Sequence, residues 1–203
     1  MQHDIFNSFP APNEPVIIKN GLYRYFPSFF KRDEADSLMV SLEKNIQWNQ
    51  EKMNMYGKTI NLPRLTSWYG DRDKTYSFSG IKLNPLSWNE NLLKIKSEIE
   101  PICNVSFNSV LLNLYRDGND SISWHTDAEK ELGLNPIIAS VNFGAEREFQ
   151  LKHDNTGEKI SIVLQHGSLL IMEGELQHYW KHQIPKRKNV NRSRINLTFR
   201  VIK

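Results

Sequence analysis

The sequence predicts an α+β protein, a β-sandwich or jelly roll flanked by helices. Eight short strand-like runs crowd into its second half: SVLLNLY, SISWH, IIASVNF, REFQL, KISIVL, SLLIME, HYWKHQI and RINLTFRVI. Turn-forming residues separate them, at Asp117-Gly118, Gly144, Asn155-Thr156-Gly157 and His166-Gly167. Ahead of them lie two stretches of helical periodicity. Strands with one apolar face need a cover, and two amphipathic helices supply one.

The elements follow in order. Residues 1–15 are polar and proline-bearing, which predicts a flexible arm. Val16, Ile17, Ile18 and Leu22 predict a strand and a turn. Residues 33–46 predict a helix: Ala35, Leu38, Met39, Leu42 and Ile46 keep the 3.6-residue period, with acids in the first turn. Residues 47–64 are polar around Met53, Met55, Tyr56 and Gly57 and end at Pro63, which predicts a hairpin or a long loop. Residues 68–80, WYGDRDKTYSFSG, read as aromatic-rich and irregular. Residues 89–100 predict a second helix with Leu92, Leu93, Ile95 and Ile99 on its apolar side, stopping before Pro101.

A chain of 203 residues predicts one compact domain, long enough to bury a sizeable core. The 26 basic and 23 acidic residues leave a net charge of +3, too mild to argue for nucleic acid by itself. Cys103 is the lone cysteine, which excludes an intramolecular disulfide and suits a reducing compartment. No basic-then-apolar leader opens the sequence and no run approaches 18 apolar residues. The expectation is an intracellular monomer without membrane partners, cytoplasmic if bacterial and nuclear if eukaryotic.

The chemistry concentrates on polar strand faces. In RINLTFRV, Arg194, Asn196, Thr198 and Arg200 share one face, and Ile195, Leu197, Phe199 and Val201 the other. Leu111, Asn113 and Tyr115 share a face against Leu112 and Leu114. His125 and Asp127 share a third, about 6.5–7 Å apart along the backbone. If helices cover the apolar sides, the polar sides line the interior of the roll. An imidazole and a carboxylate buried there need compensation: a mutual hydrogen bond, a cation, solvent or a metal. Two histidines and a carboxylate on one face match the ligand set of non-haem Fe(II) oxygenases, and two arginines suit bidentate binding of carboxylates. For a third ligand, His153 and His166 lie at turns and are expected at the surface. His178 and His182 share a face, and spacing does not choose between them.

Taken together, PRLTSWYGD, YSFSG, NLYRDGNDSISWHTDAEKELG, PIIASVNFGAEREFQL, GSLLIMEG, HQIPK and RINLTFR resemble the AlkB family of Fe(II)/2-oxoglutarate dioxygenases over residues 53–203. They are most similar to its nucleic-acid repair members. The resemblance implies a double-stranded β-helix (jelly roll) core over 107–203, preceded by an N-terminal nucleotide-recognition segment with helices over 16–106. It implies Fe(II), 2-oxoglutarate and O2, with His125, Asp127 and His182 as metal ligands and His178 as a neighbour. Asn113, Tyr115, Arg194 and Arg200 would bind 2-oxoglutarate, with Asn196 in support, and Arg200 is expected to anchor the distal carboxylate.

The resemblance further implies oxidative demethylation of 1-methyladenine and 3-methylcytosine in DNA, with release of formaldehyde, succinate and CO2. Tyr76 and Phe78 match the base-contacting segment, with the His125 ring as the opposite wall. Glu129 matches the acid that reads the exocyclic amine. Met55-Tyr56-Gly57-Lys58 resembles the intercalating hairpin of relatives that act on duplex DNA, with Tyr56 as the wedge, and Arg64 belongs to the same matching stretch. The basic run KRKNVNRSR at 186–194 is placed to contact phosphates. The partner expected is therefore DNA, as a duplex with a flipped base. The rival readings are an RNA demethylase of the same family and a 2-oxoglutarate oxygenase acting on protein or a small molecule.

Overall fold

The computed structural model describes residues 14–55, 57–72, 76–78, 81–83 and 85–203. The described residues open with β1 (Val16–Ile18) and β2 (Gly21–Phe26), then α1 (Arg32–Asn45). Asp33 and Glu34 in the first turn of α1 complement its dipole. The polar segment that follows is a hairpin of β3 (Lys52–Met55) and β4 (Lys58–Asn61). After β5 (Leu65–Gly70) come β6 (Tyr76–Phe78), β7 (Ile81–Leu83) and α2 (Glu90–Cys103). Asn89 caps α2 by accepting the Leu92 N–H at 3.0 Å, and Asn104 ends it in the left-handed region at φ 52°. The helix runs through Pro101, which the sequence reading took as its end.

The second half carries the eight strands expected: β8 (Ser109–Tyr115), β9 (Ile122–His125), β10 (Ile138–Gly144), β11 (Arg147–His153), β12 (Lys159–Leu164), β13 (Ser168–Glu173), β14 (Trp180–Ile184) and β15 (Arg194–Arg200). A single turn of helix, α3 (Leu176–Tyr179), precedes β14. None of the described helices is long and apolar enough to cross a membrane.

Two antiparallel sheets build the jelly roll. The larger has the order β1-β2-β13-β10-β15-β8-β5, and the smaller β12-β11-β14-β9. Strand alternation sorts the side chains of the larger sheet. Leu112, Leu114, Val141, Phe143, Ile195, Leu197 and Phe199 face outward onto Leu38, Leu42, Leu92, Ile95 and Ile99 of the two helices. Each such side chain withdrawn from water contributes about 1.5–3 kcal/mol. Between the sheets lie Tyr115, Phe149, Leu151, Leu170, Met172, Trp180 and Ile184.

Residues 65–70 correct one expectation. Part of the stretch read as irregular is β5, paired with β8 from Leu65↔Leu114 to Gly70↔Ser109. Trp68 and Tyr69 are buried on opposite faces of it, as are Thr66 and Ser67, so both faces are covered and alternation does not show.

Two loops flanking the roll are fastened to each other. The Gly118 N–H donates to the Val190 carbonyl at 2.7 Å, and the Arg187 N–H donates to the Gly118 carbonyl at 2.8 Å. Arg147, 1% exposed, donates to the carbonyls of Asp117, Asp120 and Pro185 at 3.2, 2.9 and 2.5 Å. A Cβ at residue 118 would stand 1.8 Å from the Arg187 carbonyl oxygen. Gly118→Ala is therefore expected to destabilise the fold by about 1–3 kcal/mol in urea unfolding, because it must part the two loops. An unchanged midpoint would mean that the clasp is loose.

Candidate active site

Pairing across the smaller sheet creates the centre. His182 on β14 stands directly opposite His125 on β9, and their rings lie 4.2 Å apart. Asp127, two residues past the end of β9, puts its carboxylate 4.0 Å from the Nε2 of each imidazole. That is beyond hydrogen-bond reach, so the three groups do not satisfy one another directly. One ligand atom from each lies within 4.8 Å of the others. The Nδ1–H of His125 donates to the Ser123 carbonyl at 2.8 Å, which turns Nε2 toward Asp127.

The protonation states suit a cation. Burial alone would raise the Asp127 carboxyl. The Arg200 guanidinium, at 2.8 Å, and the two imidazoles outweigh burial and hold it at about 2. Burial pushes the His182 imidazole down to about 3, with His125 adding to the effect, so the ring is neutral. Its Nδ1 is buried without a hydrogen-bond partner. One carboxylate and two imidazoles form a donor set for a divalent metal.

The larger sheet adds two buried arginines and a run of polar side chains to the same cavity, of about 370 Å³. On its inward face Asn196 donates to the Ser140 hydroxyl at 2.8 Å and to Asn142 Oδ1 at 3.2 Å, and Thr198 donates to Asn196 Oδ1 at 3.1 Å. Arg194, 2% exposed, donates one Nη2–H to Asn142 Oδ1 at 2.6 Å. Its Nε and Nη1 have no hydrogen-bond partner of good geometry among the described residues, and the Tyr115 side chain is the group that supports its charge. Burial pushes the guanidinium down to about 10, still a cation at neutral pH. The Tyr115 ring lies 4.9 Å from it, with Arg147 at 5.7 Å from the same ring. A buried guanidinium with open donors is costly unless a carboxylate meets it.

Asn113, Tyr115, His125, Asp127, Glu129, His182, Arg194, Asn196 and Arg200 thus line one cavity, together with Arg64. Arg64 is itself buried and turns its Nε–H to Asn113 Oδ1, at 2.8 Å. Tyr56 lies outside the described residues. Tyr76 and Phe78 are described as strand backbone only. His178 is exposed on α3, and its ring nitrogen meets Asn135 Oδ1 at 3.0 Å. His153 departs from its expected surface position. It is 1% exposed, its Nδ1 accepts the N–H groups of Asn155 and Thr156, and its ring stacks on Tyr179. His166 is half-buried and accepts the Gly144 N–H at 2.8 Å. The sequence reading missed Ser140 and Asn142, although their alternation with Ala139, Val141 and Phe143 was the available signal. It also missed Gln177, which carries no such signal.

The 2OG-Fe(II) oxygenase superfamily profile matches residues 23–200. The alpha-ketoglutarate-dependent dioxygenase alkB homolog 3 of Bos taurus is 41% identical across 95% of this chain and 74% of its own length. The DNA oxidative demethylase ALKBH2 of Homo sapiens is 38% identical across 95% of this chain and 78% of its own. The chain belongs to the AlkB family of 2OG-Fe(II) oxygenases. Its fold agrees with two solved structures. OsALKBH1 covers 91% of this chain and all of its own at TM-score 0.65 and 16% identity. A 2OG-Fe(II) oxygenase family oxidoreductase from Burkholderia pseudomallei covers 88% of this chain and 84% of its own at TM-score 0.57 and 12% identity. As an AlkB-family dioxygenase the chain works with Fe(II), 2-oxoglutarate and O2, and His125, Asp127 and His182 are the group able to hold the metal.

Proposed function

We propose that this dioxygenase repairs N-methylated bases, 1-methyladenine and 3-methylcytosine, in DNA by direct reversal. The observation that carries the proposal is one cavity holding both a metal trio and a buried, open-forked arginine, in a chain 38% identical to a protein named as a DNA oxidative demethylase. His125, Asp127 and His182 hold Fe(II). Arg194 takes the distal carboxylate of 2-oxoglutarate with its free donors, and Tyr115 and Asn113 complete that end. Arg64 orients Asn113 rather than reaching for the base. The Arg200 guanidinium, expected from the sequence to take the distal carboxylate, meets the Asp127 carboxylate instead and keeps it ionised at the metal.

The lesion is a cationic base, flipped out of the helix to reach the cavity. Tyr76 and Phe78 stack on it against the His125 ring, and Glu129 at the cavity wall accepts from its exocyclic amine. With iron and 2-oxoglutarate bound, O2 is reduced as 2-oxoglutarate becomes succinate and CO2, and the N-methyl group is hydroxylated. The hydroxymethyl group then loses its O–H proton and the C–N bond breaks. Formaldehyde leaves, and the electron pair returns to the ring nitrogen, which neutralises the base.

The test is demethylation of 1-methyladenine in one oligonucleotide as single strand, duplex and RNA, with succinate measured alongside. Turnover on RNA alone would replace the proposal with an RNA demethylase. Succinate formation supported by no nucleic acid would favour a protein or small-molecule substrate.

Duplex action makes a separate prediction at Tyr56. An aromatic wedge restores stacking worth roughly 1–3 kcal/mol where the base has left. Tyr56→Ala is expected to lower duplex repair by roughly 5- to 150-fold and to leave single-strand repair nearly unchanged. Equal losses on both substrates would give Tyr56 a role in folding or in the pocket.

A further inference from the structure

We propose that Gln177 is a positioning residue for the metal centre: its carboxamide holds the backbone of Asp127, and so sets where that carboxylate stands between the two imidazoles. The proposal rests on Asp127 being a metal ligand, as assigned above.

The ligands differ in how their backbones are held. His125 and His182 sit in strands paired with each other, so the ladder fixes both. Asp127 lies beyond the end of β9, which is the edge strand of the smaller sheet. The pairing of β9 is also irregular, with a register shift between His182 and Ile184. Among the described residues no strand neighbour accepts the Asp127 N–H. Gln177 takes that place. It is 1% exposed on α3, and its Oε1 accepts the Asp127 N–H at 2.9 Å, a bond buried at both ends. Its Nε2–H is turned away to the Met172 sulfur at 3.5 Å, a weak acceptor, so the strong bond of the side chain is the one to Asp127.

The connection is short. Gln177 precedes the ligand His182 by five residues, so α3 and the start of β14 tie the carboxylate ligand to the distal histidine within one continuous segment. Ligand-orienting partners of this kind alter metal affinity by about 10- to 100-fold when removed. Without the carboxamide, the backbone of Thr126 and Asp127, beyond the end of β9, becomes free to turn, and the carboxylate no longer has a fixed place opposite both rings.

The test is the rate at which a chelator strips iron from the loaded full-length protein, compared among wild type, Gln177→Met, Gln177→Glu and His178→Ala. Gln177→Met keeps the length and packing but has no strong acceptor, and is expected to lose iron about 10- to 100-fold faster. Gln177→Glu keeps an acceptor oxygen and recovers at least half of that loss on a logarithmic scale. His178→Ala, one residue along the same helix, keeps the wild-type rate. An unchanged rate in Gln177→Met overturns the proposal, as does an equal acceleration in His178→Ala, which would assign the effect to folding of α3. Hydrogen exchange supplies a reading free of variants: the Asp127 amide is expected to be protected in the wild type, and rapid exchange overturns the proposal whether or not Gln177→Met folds. Asp127→Ala tests the underlying assignment separately. If that variant still holds iron at wild-type affinity, the ligand assignment fails. If it loses iron while Gln177→Met does not, only the positioning role fails.

Discussion

His182→Ala is expected to abolish succinate formation, while His178→Ala keeps most of it. The two histidines share a face by sequence parity, yet a single helical turn at 176–179 ends between them and separates their fates. His182 enters β14 opposite His125, is 4% exposed, and has a neutral ring. His178 is exposed and bonded to Asn135. In zinc-finger peptides four ligands bind zinc by about 10–16 kcal/mol. On that scale one ligand carries roughly 3 kcal/mol, which is about 10²-fold in affinity. The measurement is iron affinity together with 2-oxoglutarate-to-succinate turnover for both variants. The reverse pattern would mean that His178 is the ligand.

Arg194→Met is expected to raise the concentration of 2-oxoglutarate needed for half-maximal turnover by roughly 30- to 5,000-fold. That range corresponds to the roughly 2–5 kcal/mol lost when one side of a buried, hydrogen-bonded charge pair is truncated. Fe(II) binding should be nearly intact, since Arg194 is not paired with a metal ligand. Arg194→Lys should also be impaired, because a point charge cannot replace the planar fork. The stability of the cosubstrate-free protein should move the other way. Wild-type Arg194 is a buried cation with two unsatisfied donors, so exchanging it for an apolar chain of similar reach should leave that form at least as stable. A large 2-oxoglutarate defect without a fall in melting temperature is the signature of a residue kept for binding. An unchanged 2-oxoglutarate requirement would exclude Arg194 from the distal carboxylate.

The legible part of the site was the part written in strand periodicity. Asn113 and Tyr115 on β8, and Arg194, Asn196, Thr198 and Arg200 on β15, share their faces because side chains alternate, and alternation is visible in a string of letters. The two arginines had opposite prospects that no periodicity distinguishes. Arg200 is met by Asp127, just past the end of β9, and Arg194 by no carboxylate among the described residues. His153 was misplaced for a related reason. A histidine before a turn reads as exposed, but this ring turns back to accept two amides of its own turn and is covered by Tyr179 and Trp180. β5 was hidden because Trp68 and Tyr69 bury both of its faces. Gln177 acts through a backbone N–H 50 residues away, a contact that only the folded chain creates.

The place of β15 has a consequence for how the protein is made. It is the last of the strands to be synthesised, yet it lies inside the larger sheet, bonded to β10 on one side and β8 on the other. Until residues 194–200 leave the ribosome, that sheet exists at best as two separate pieces, β1-β2-β13-β10 and β8-β5. The same late strand brings both Arg194 and Arg200. The histidines on β9 and β14 are thus translated before either of the two arginines that β15 adds to the cavity. Closure by a late, central strand demands long-range contacts, which predicts slow folding.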